Sequence, residues 1–151
     1  MNFPILSSLI LLPTIGALFL LFSKDKNSNT GKYVALFTSF VNFLISIYLW
    51  FLFDSSSSDF QFIEDREWIK GFINYKVGID GISILFIILT TFITPICIIS
   101  VNNTIKERLR DFLIAILVME SLMIGVFCSL DLVIFYLFFE AGLIPMFLII
   151  G

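Results

Sequence analysis

Apolar residues in this chain gather into five long runs, broken by short polar stretches. The runs are about Phe3–Phe22, Tyr33–Phe53, Asp80–Ser100, Phe112–Leu130 and Leu132–Ile150. About 20 apolar residues at 1.5 Å each cross a bilayer core of ~30 Å, so each run predicts a transmembrane helix. Pro4 is tolerated in the opening turn of the first helix, and Pro13 predicts a bend within it. The break between the fourth and fifth runs is only Ser129-Leu130-Asp131. Those two helices must form a tight antiparallel hairpin, with Asp131 placed as the N-cap of the fifth.

The longest connection, 54–78, has a different pattern. It opens on Asp54 and four serines and continues Asp59-Phe60-Gln61-Phe62-Ile63-Glu64. This short alternation predicts a strand or an extended arm on the surface, within an ordered extramembrane loop. Trp68, Phe72 and Tyr75 follow, residue types suited to the headgroup level.

Composition agrees with a membrane setting. The chain has 151 residues, is 59% apolar, and has a mean hydropathy of +1.05. The expected class is an all-α integral membrane protein. A net charge of −3 without a large basic patch argues against nucleic acid as a partner. Cys97 and Cys128 lie inside apolar runs at no metal-ligand spacing, and there is no histidine. They read as small apolar residues, and no metal site is expected. No glycine-rich dinucleotide or nucleotide-phosphate motif occurs.

The start, Met1-Asn2-Phe3-Pro4, has neither a basic leader nor an Arg-rich presequence. The first run is therefore expected to be retained and inserted where it is made. Heavy use of Phe, Ile and Leu fits an AT-rich bacterial or organellar genome. Basic residues set the orientation. Lys24, Lys26 and Lys32 sit in the first loop, and Lys106, Arg108 and Arg110 in the third, both short. Arg66, Lys70 and Lys76 are spread over the longer second connection. Charge density puts loops one and three inside and the N-terminus outside.

The candidate chemistry lies in two carboxyls. Glu140 stands nine residues after Asp131, about 13 Å into the membrane. Glu120 stands eleven residues before Asp131 on the antiparallel partner, about 16 Å in. A charged group at the centre of a spanning helix costs roughly 2.5–3.5 kcal/mol. Two such groups close together in a low dielectric cannot both ionise, which suits a proton relay. The alternative is polar packing, a permanently neutral carboxyl bonding a neighbouring helix. Tyr136 lies one turn before Glu140, either as a hydrogen-bond donor or as lipid-facing bulk. Pro145 supplies no N–H and crowds the Ala141 carbonyl, loosening the helix beside Glu140. Asp80, in Gly78-Ile79-Asp80-Gly81-Ile82-Ser83, is placed to N-cap the third helix. Asn42 and Thr94 are single polar groups expected at helix–helix contacts.

Val77-Gly78-Ile79-Asp80-Gly81-Ile82-Ser83 resembles the start of the third helix in the antiporter-like subunits of respiratory complex I. Phe135-Tyr136-Leu137-Phe138-Phe139-Glu140-Ala141-Gly142-Leu143-Ile144-Pro145-Met146 is similar to the fifth helix of its chain M, chain 4 in mitochondria. Met119-Glu120-Ser121 through Ser129-Leu130-Asp131 agrees more weakly. The resemblance covers most of the chain and implies the N-terminal portion of a proton-translocating membrane-arm subunit of NADH–quinone oxidoreductase.

The resemblance also implies that Glu140 belongs to the proton-translocating apparatus, working with a lysine on the seventh helix. The position of Glu120 varies in the family. NADH, flavin, iron–sulfur clusters and quinone are expected in partner subunits, with no cofactor and no redox site in this chain. Partners would be other membrane-arm subunits and the lipid bilayer. The implied location is the mitochondrial inner membrane, or alternatively the bacterial one, with the N-terminus on the intermembrane-space or periplasmic side. Family chains continue well past the fifth helix, through the rest of two inverted repeats. The expectation is a split gene or a fragment, with a second polypeptide carrying the remaining helices. Two other readings stay open: an accessory structural subunit, and part of a multisubunit cation/proton antiporter.

Overall fold

The computed structural model describes residues 4–22, 29–56, 58–69, 73–100 and 109–150. Phe72 and the basic residues Lys24, Lys26, Lys70, Lys106 and Arg108 lie outside the described residues, as does the Trp68 side chain. Five helices form: α1 (Ile5–Leu21), α2 (Asn29–Leu52), α3 (Gly81–Ser100), α4 (Leu109–Cys128) and α5 (Leu132–Ile150). Between α2 and α3 lie β1 (Gln61–Ile69) and β2 (Ile73–Ile79). Four of the helices are long and apolar enough to cross a membrane, and α1 is a shorter apolar helix of 17 residues. The architecture is that of an all-α membrane protein with one small hairpin. Helices α1, α3 and α5 each run through an internal proline, at Pro13, Pro95 and Pro145.

The helices alternate up and down, and α4 is the hub. It packs on α1, α2, α3 and α5, whereas α5 packs on α4 and the end of β2. Close approach at the α4–α5 contact depends on Gly125, where an added Cβ would stand 2.8 Å from the Phe138 ring. Small residues at such points let membrane helices touch without a hydrophobic drive between them.

The connection between α2 and α3 holds more structure than its first alternating stretch suggests. β1 and β2 pair antiparallel, from Gln61 opposite Ile79 to Ile69 opposite Ile73. The register slips between Gln61 and Glu64, where Phe62 takes φ 56°. An extra residue at such a bulge turns the strand. On β2 the period-2 set Tyr75, Val77 and Ile79 points to the bundle, and Val77 and Ile79 are fully buried. The alternating stretch enters β1 with Phe60 and Ile63 exposed, and β2 turns its apolar set inward. The hairpin caps one end of the bundle and joins the core there.

Its attachments are specific. The Leu130 N–H donates to the Lys76 carbonyl at 2.9 Å, and Val77 bridges Ser129. Those bonds tie β2 to the α4–α5 turn. Asp80 follows β2 at once, and its carboxylate accepts the Ser83 N–H at 2.8 Å, starting α3. Asp131 accepts the Val133 N–H at 2.9 Å at the start of α5. At the end of α2 the Gln61 amide accepts from the Asp54 N–H (2.8 Å) and donates to its carbonyl (2.6 Å).

A mid-membrane polar layer as the candidate functional site

The bundle interior has two apolar cores with a polar layer between them. Toward the hairpin, Leu6, Leu9, Leu49, Ile84, Ile87 and Ile124 cluster with the buried strand residues. At the other end Ala17, Leu20, Ala35, Ile98, Leu113 and Leu117 cluster. Every one of α1 to α4 changes character between the two. Thr14 does so on α1, and Ser39, Asn42 and Ser46 on α2. Thr91 and Thr94 take that place on α3, and Glu120 and Ser121 on α4. Ser39, Asn42 and Ser46 recur at helical spacing, so one face of α2 presents all three, and each is fully buried.

Within the layer, hydrogen bonds run between helices. The Asn42 amide N–H donates to Glu120 Oε1 at 3.0 Å. The Ser46 and Thr91 hydroxyls share a bond of 2.8 Å. Thr14 Oγ1 donates to Ser121 Oγ at 2.8 Å, and that hydroxyl donates to the Ile10 carbonyl. Hydroxyls satisfied by a backbone carbonyl of their own helix add little cost to burial. Ser39 does this through Leu36 at 3.0 Å, and Thr94 through Thr90 at 2.9 Å. Glu120 has no such recourse. It is 2% exposed, and its one bond among the described residues is the one from Asn42. Glu120 Oε2 and Asn42 Oδ1 have no partner among the described residues.

Glu120 also borders a groove of about 480 Å³ between α3 and α4, together with Thr90, Thr94, Cys97, Met119 and Met123. The groove is mostly apolar, and its polar lining residues are Glu120, Thr90, Thr94 and Ser100.

Glu140 stands elsewhere. It lies at mid-height of α5 but on an exposed face, and it takes no hydrogen bond from the described residues. Tyr136, one turn away, is 60% exposed, and Leu143 and Ile144 are exposed too. The two carboxyls thus share a depth but not an environment. Glu120 looks into the bundle toward α2, and Glu140 looks out of it. Pro145 is built into α5, which continues to Ile150. Among the described residues no three of Cys, Asp and Glu converge into a metal-binding group. Cys97 and Cys128 are free thiols.

Asn42 was legible as an interhelical polar group, whereas Thr94, expected to be the same, bonds to the Thr90 carbonyl of its own helix. Thr14, Ser39, Ser46, Thr91 and Ser121 were not singled out, because hydroxyls are common in membrane helices. The signal available was their shared depth, midway along each of the first four apolar runs.

Comparison with known proteins follows the same stretch. Residues 8–126 match the family model described as NADH-ubiquinone oxidoreductase chain 4, amino terminus. The chain is 46% identical over 147 residues to NADH-ubiquinone oxidoreductase chain 4 of Marchantia polymorpha, covering 97% of this chain and 30% of that protein. It is 48% identical to the chain 4 of Arabidopsis thaliana, with the same coverage. Against NADH-quinone oxidoreductase subunit M of Rhodobacter capsulatus it is 56% identical over 127 residues, 84% of this chain and 24% of that one. The chain therefore spans less than a third of the length of these relatives. By a family match over most of its length and by these identities, the chain belongs to the NADH-ubiquinone oxidoreductase chain 4 amino-terminus family.

Proposed function

We propose that this chain works in the membrane arm of a proton-translocating NADH–quinone oxidoreductase, with Glu140 as a group that loads and releases protons. The observation that carries the reading is a carboxyl at mid-height of an apolar helix, level with a built polar layer, in a chain of this family. An exposed carboxylate at that depth would meet acyl chains at a cost of a few kcal/mol. The reading therefore requires its face of α5 to be covered by polar protein or water. Because the chain spans 30% of its plant relatives, the helices that complete the site come from the rest of the fold, in this or a second polypeptide.

The same reading places NADH, flavin, iron–sulfur clusters and quinone in other subunits, and the chain in a mitochondrial or bacterial inner membrane. Its N-terminus would face the intermembrane space or periplasm. Glu120 would serve as a second, inner proton-handling group. For Glu120 alone a packing role is the competing reading, favoured by its bond from Asn42.

The test is Glu140→Gln in the assembled enzyme, reconstituted into vesicles and driven by NADH. Proton uptake should be largely lost while the complex still assembles. Unimpaired uptake would overturn the proposal.

A further inference from the structure

We propose that Asn42 and Glu120 together build a site for one buried water molecule, and that Asn42 is the positioning residue for that carboxyl. The inference deepens the proton-handling reading of Glu120 and rests on it only for the use made of the water.

The basis is the hydrogen-bond balance of the pair. Asn42 is fully buried and Glu120 is 2% exposed. One amide N–H reaches Glu120 Oε1 at 3.0 Å, which joins the two side chains between α2 and α4. That leaves Asn42 Oδ1 and Glu120 Oε2, one atom on each, buried and unpartnered among the described residues. An ionised carboxylate and an amide carbonyl are both acceptors, so they cannot satisfy each other. Leaving either dry carries the full desolvation penalty of that group. A molecule that donates twice removes both deficits, and water is the smallest one that does.

Water also fits the protonated state. With the proton on Oε2, the carboxyl donates to the water oxygen, and the water still donates to Asn42 Oδ1. One water thus satisfies both protonation states with the heavy atoms of the pair in place. A group that gains and loses a proton inside a bundle needs that property, since moving packed helices would be slow and costly. Buried waters of this kind take two to four polar partners. The groove that Glu120 borders, with Thr90 and Thr94 on its wall, offers a way in from the α3–α4 side.

The competing arrangement is a dry acid–amide pair, with the amide turned so that Oδ1 accepts a proton held by Glu120. The two are separable in the assembled complex. A high-resolution cryo-EM map should show a density peak at about 2.6–3.2 Å from both Asn42 and Glu120. The Glu120 carbonyl band, assigned by its loss in Glu120→Gln, should shift on transfer to D2O through exchange of its proton. Asn42→Leu should remove the density and move that band to higher wavenumber, toward that of an unbonded acid. Asn42→Ser, which is small and polar, should retain the water and most of the band position if the leucine variant fails to assemble. No density beside the native pair, a band unmoved by D2O, or a band that Asn42→Leu leaves at its native position overturns the proposal, as does loss of the density in Asn42→Ser. None of these readouts depends on turnover, so loss of pumping in Glu140→Gln, or its absence, leaves this result standing on its own.

Discussion

Glu64 on β1 accepts the backbone N–H of Ser7 at 3.0 Å and the Ser7 hydroxyl at 2.8 Å, and so caps α1 from another element. The first N–H groups of a helix have no partner within it. Pro4, at the N-cap of α1, has no side chain to offer them. A carboxylate from the hairpin does that work, favoured by the positive end of the helix dipole. The Tyr75 hydroxyl joins Ser7 at 2.9 Å. Burial pushes the Tyr75 phenol above its ordinary value near 10, with the Ser7 bond opposing, so it stays a neutral partner. Hairpin docking and the start of α1 are thus one unit.

Glu64→Ala should loosen both parts of that unit together. Loss of an N-cap costs about 1 kcal/mol, within roughly 0.5–2. Hydrogen exchange in the assembled enzyme should be about five-fold faster at the Ser7 amide and in β2, with the middle of α4 unchanged. Faster exchange at Ser7 alone would mean that the hairpin holds its place by Val77 and Ile79 packing, without the cap.

Asp80 gives a pH dependence with a definite sign. The Ser83 N–H bonded to its carboxylate holds Asp80 below the ordinary value of 3.8. A depressed folded-state value means the cap's contribution is present above the unfolded value and lost as pH falls through the folded one. Protection of the Ser83 amide, corrected for intrinsic exchange, should decline only below pH 3.8. Asp80→Asn should leave protection within a few tenths of a kcal/mol at neutral pH, because Asn caps about as well. The variant should also lack the acid-side decline. An identical decline in both proteins would assign it to another group.

Gly125→Ala should separate α4 from α5. The new Cβ would meet the Phe138 ring at 2.8 Å, and forcing a methyl into a packed contact costs about 1–3 kcal/mol. Better helix propensity returns up to about 1 kcal/mol of that. The variant should lower the thermal midpoint of the detergent-solubilised enzyme, and adding Phe138→Leu should restore much of it. A neutral Gly125→Ala would show that α5 shifts freely on α4.

Helix number and approximate spans were legible because continuous apolar runs report them directly. Asp80 and Asp131 were legible because an acidic residue before an apolar run has few other uses. The β2 partner was not, since Asn74-Tyr75-Lys76-Val77-Gly78-Ile79 alternates too briefly before α3 begins. Nor was the contrast between Glu120 and Glu140. Both are lone carboxyls at similar depth, and which face each occupies depends on helix rotation, set by side chains on α2 and α1. Asn42 on α2 and Thr14 on α1 turn the Glu120–Ser121 face of α4 inward.

That rotation makes Glu120 the sharper test of relay against packing. Glu120→Ala removes the acceptor for Asn42 and leaves a buried amide unpaired, at about 1–3 kcal/mol. Assembly should suffer whichever role is correct. Glu120→Gln differs. Its carbonyl can still accept from Asn42, and its own amide, in the place of Glu120 Oε2, can donate to the water proposed beside Asn42 Oδ1, an atom with no described partner in the native pair. The glutamine variant should assemble at wild-type yield with an unchanged thermal midpoint, yet it has no proton to release. If Glu120 handles protons, NADH-driven uptake into vesicles should fall in that well-assembled enzyme. Full uptake in Glu120→Gln beside poor assembly in Glu120→Ala would make Glu120 a packing group and leave Glu140 as the carboxyl to pursue.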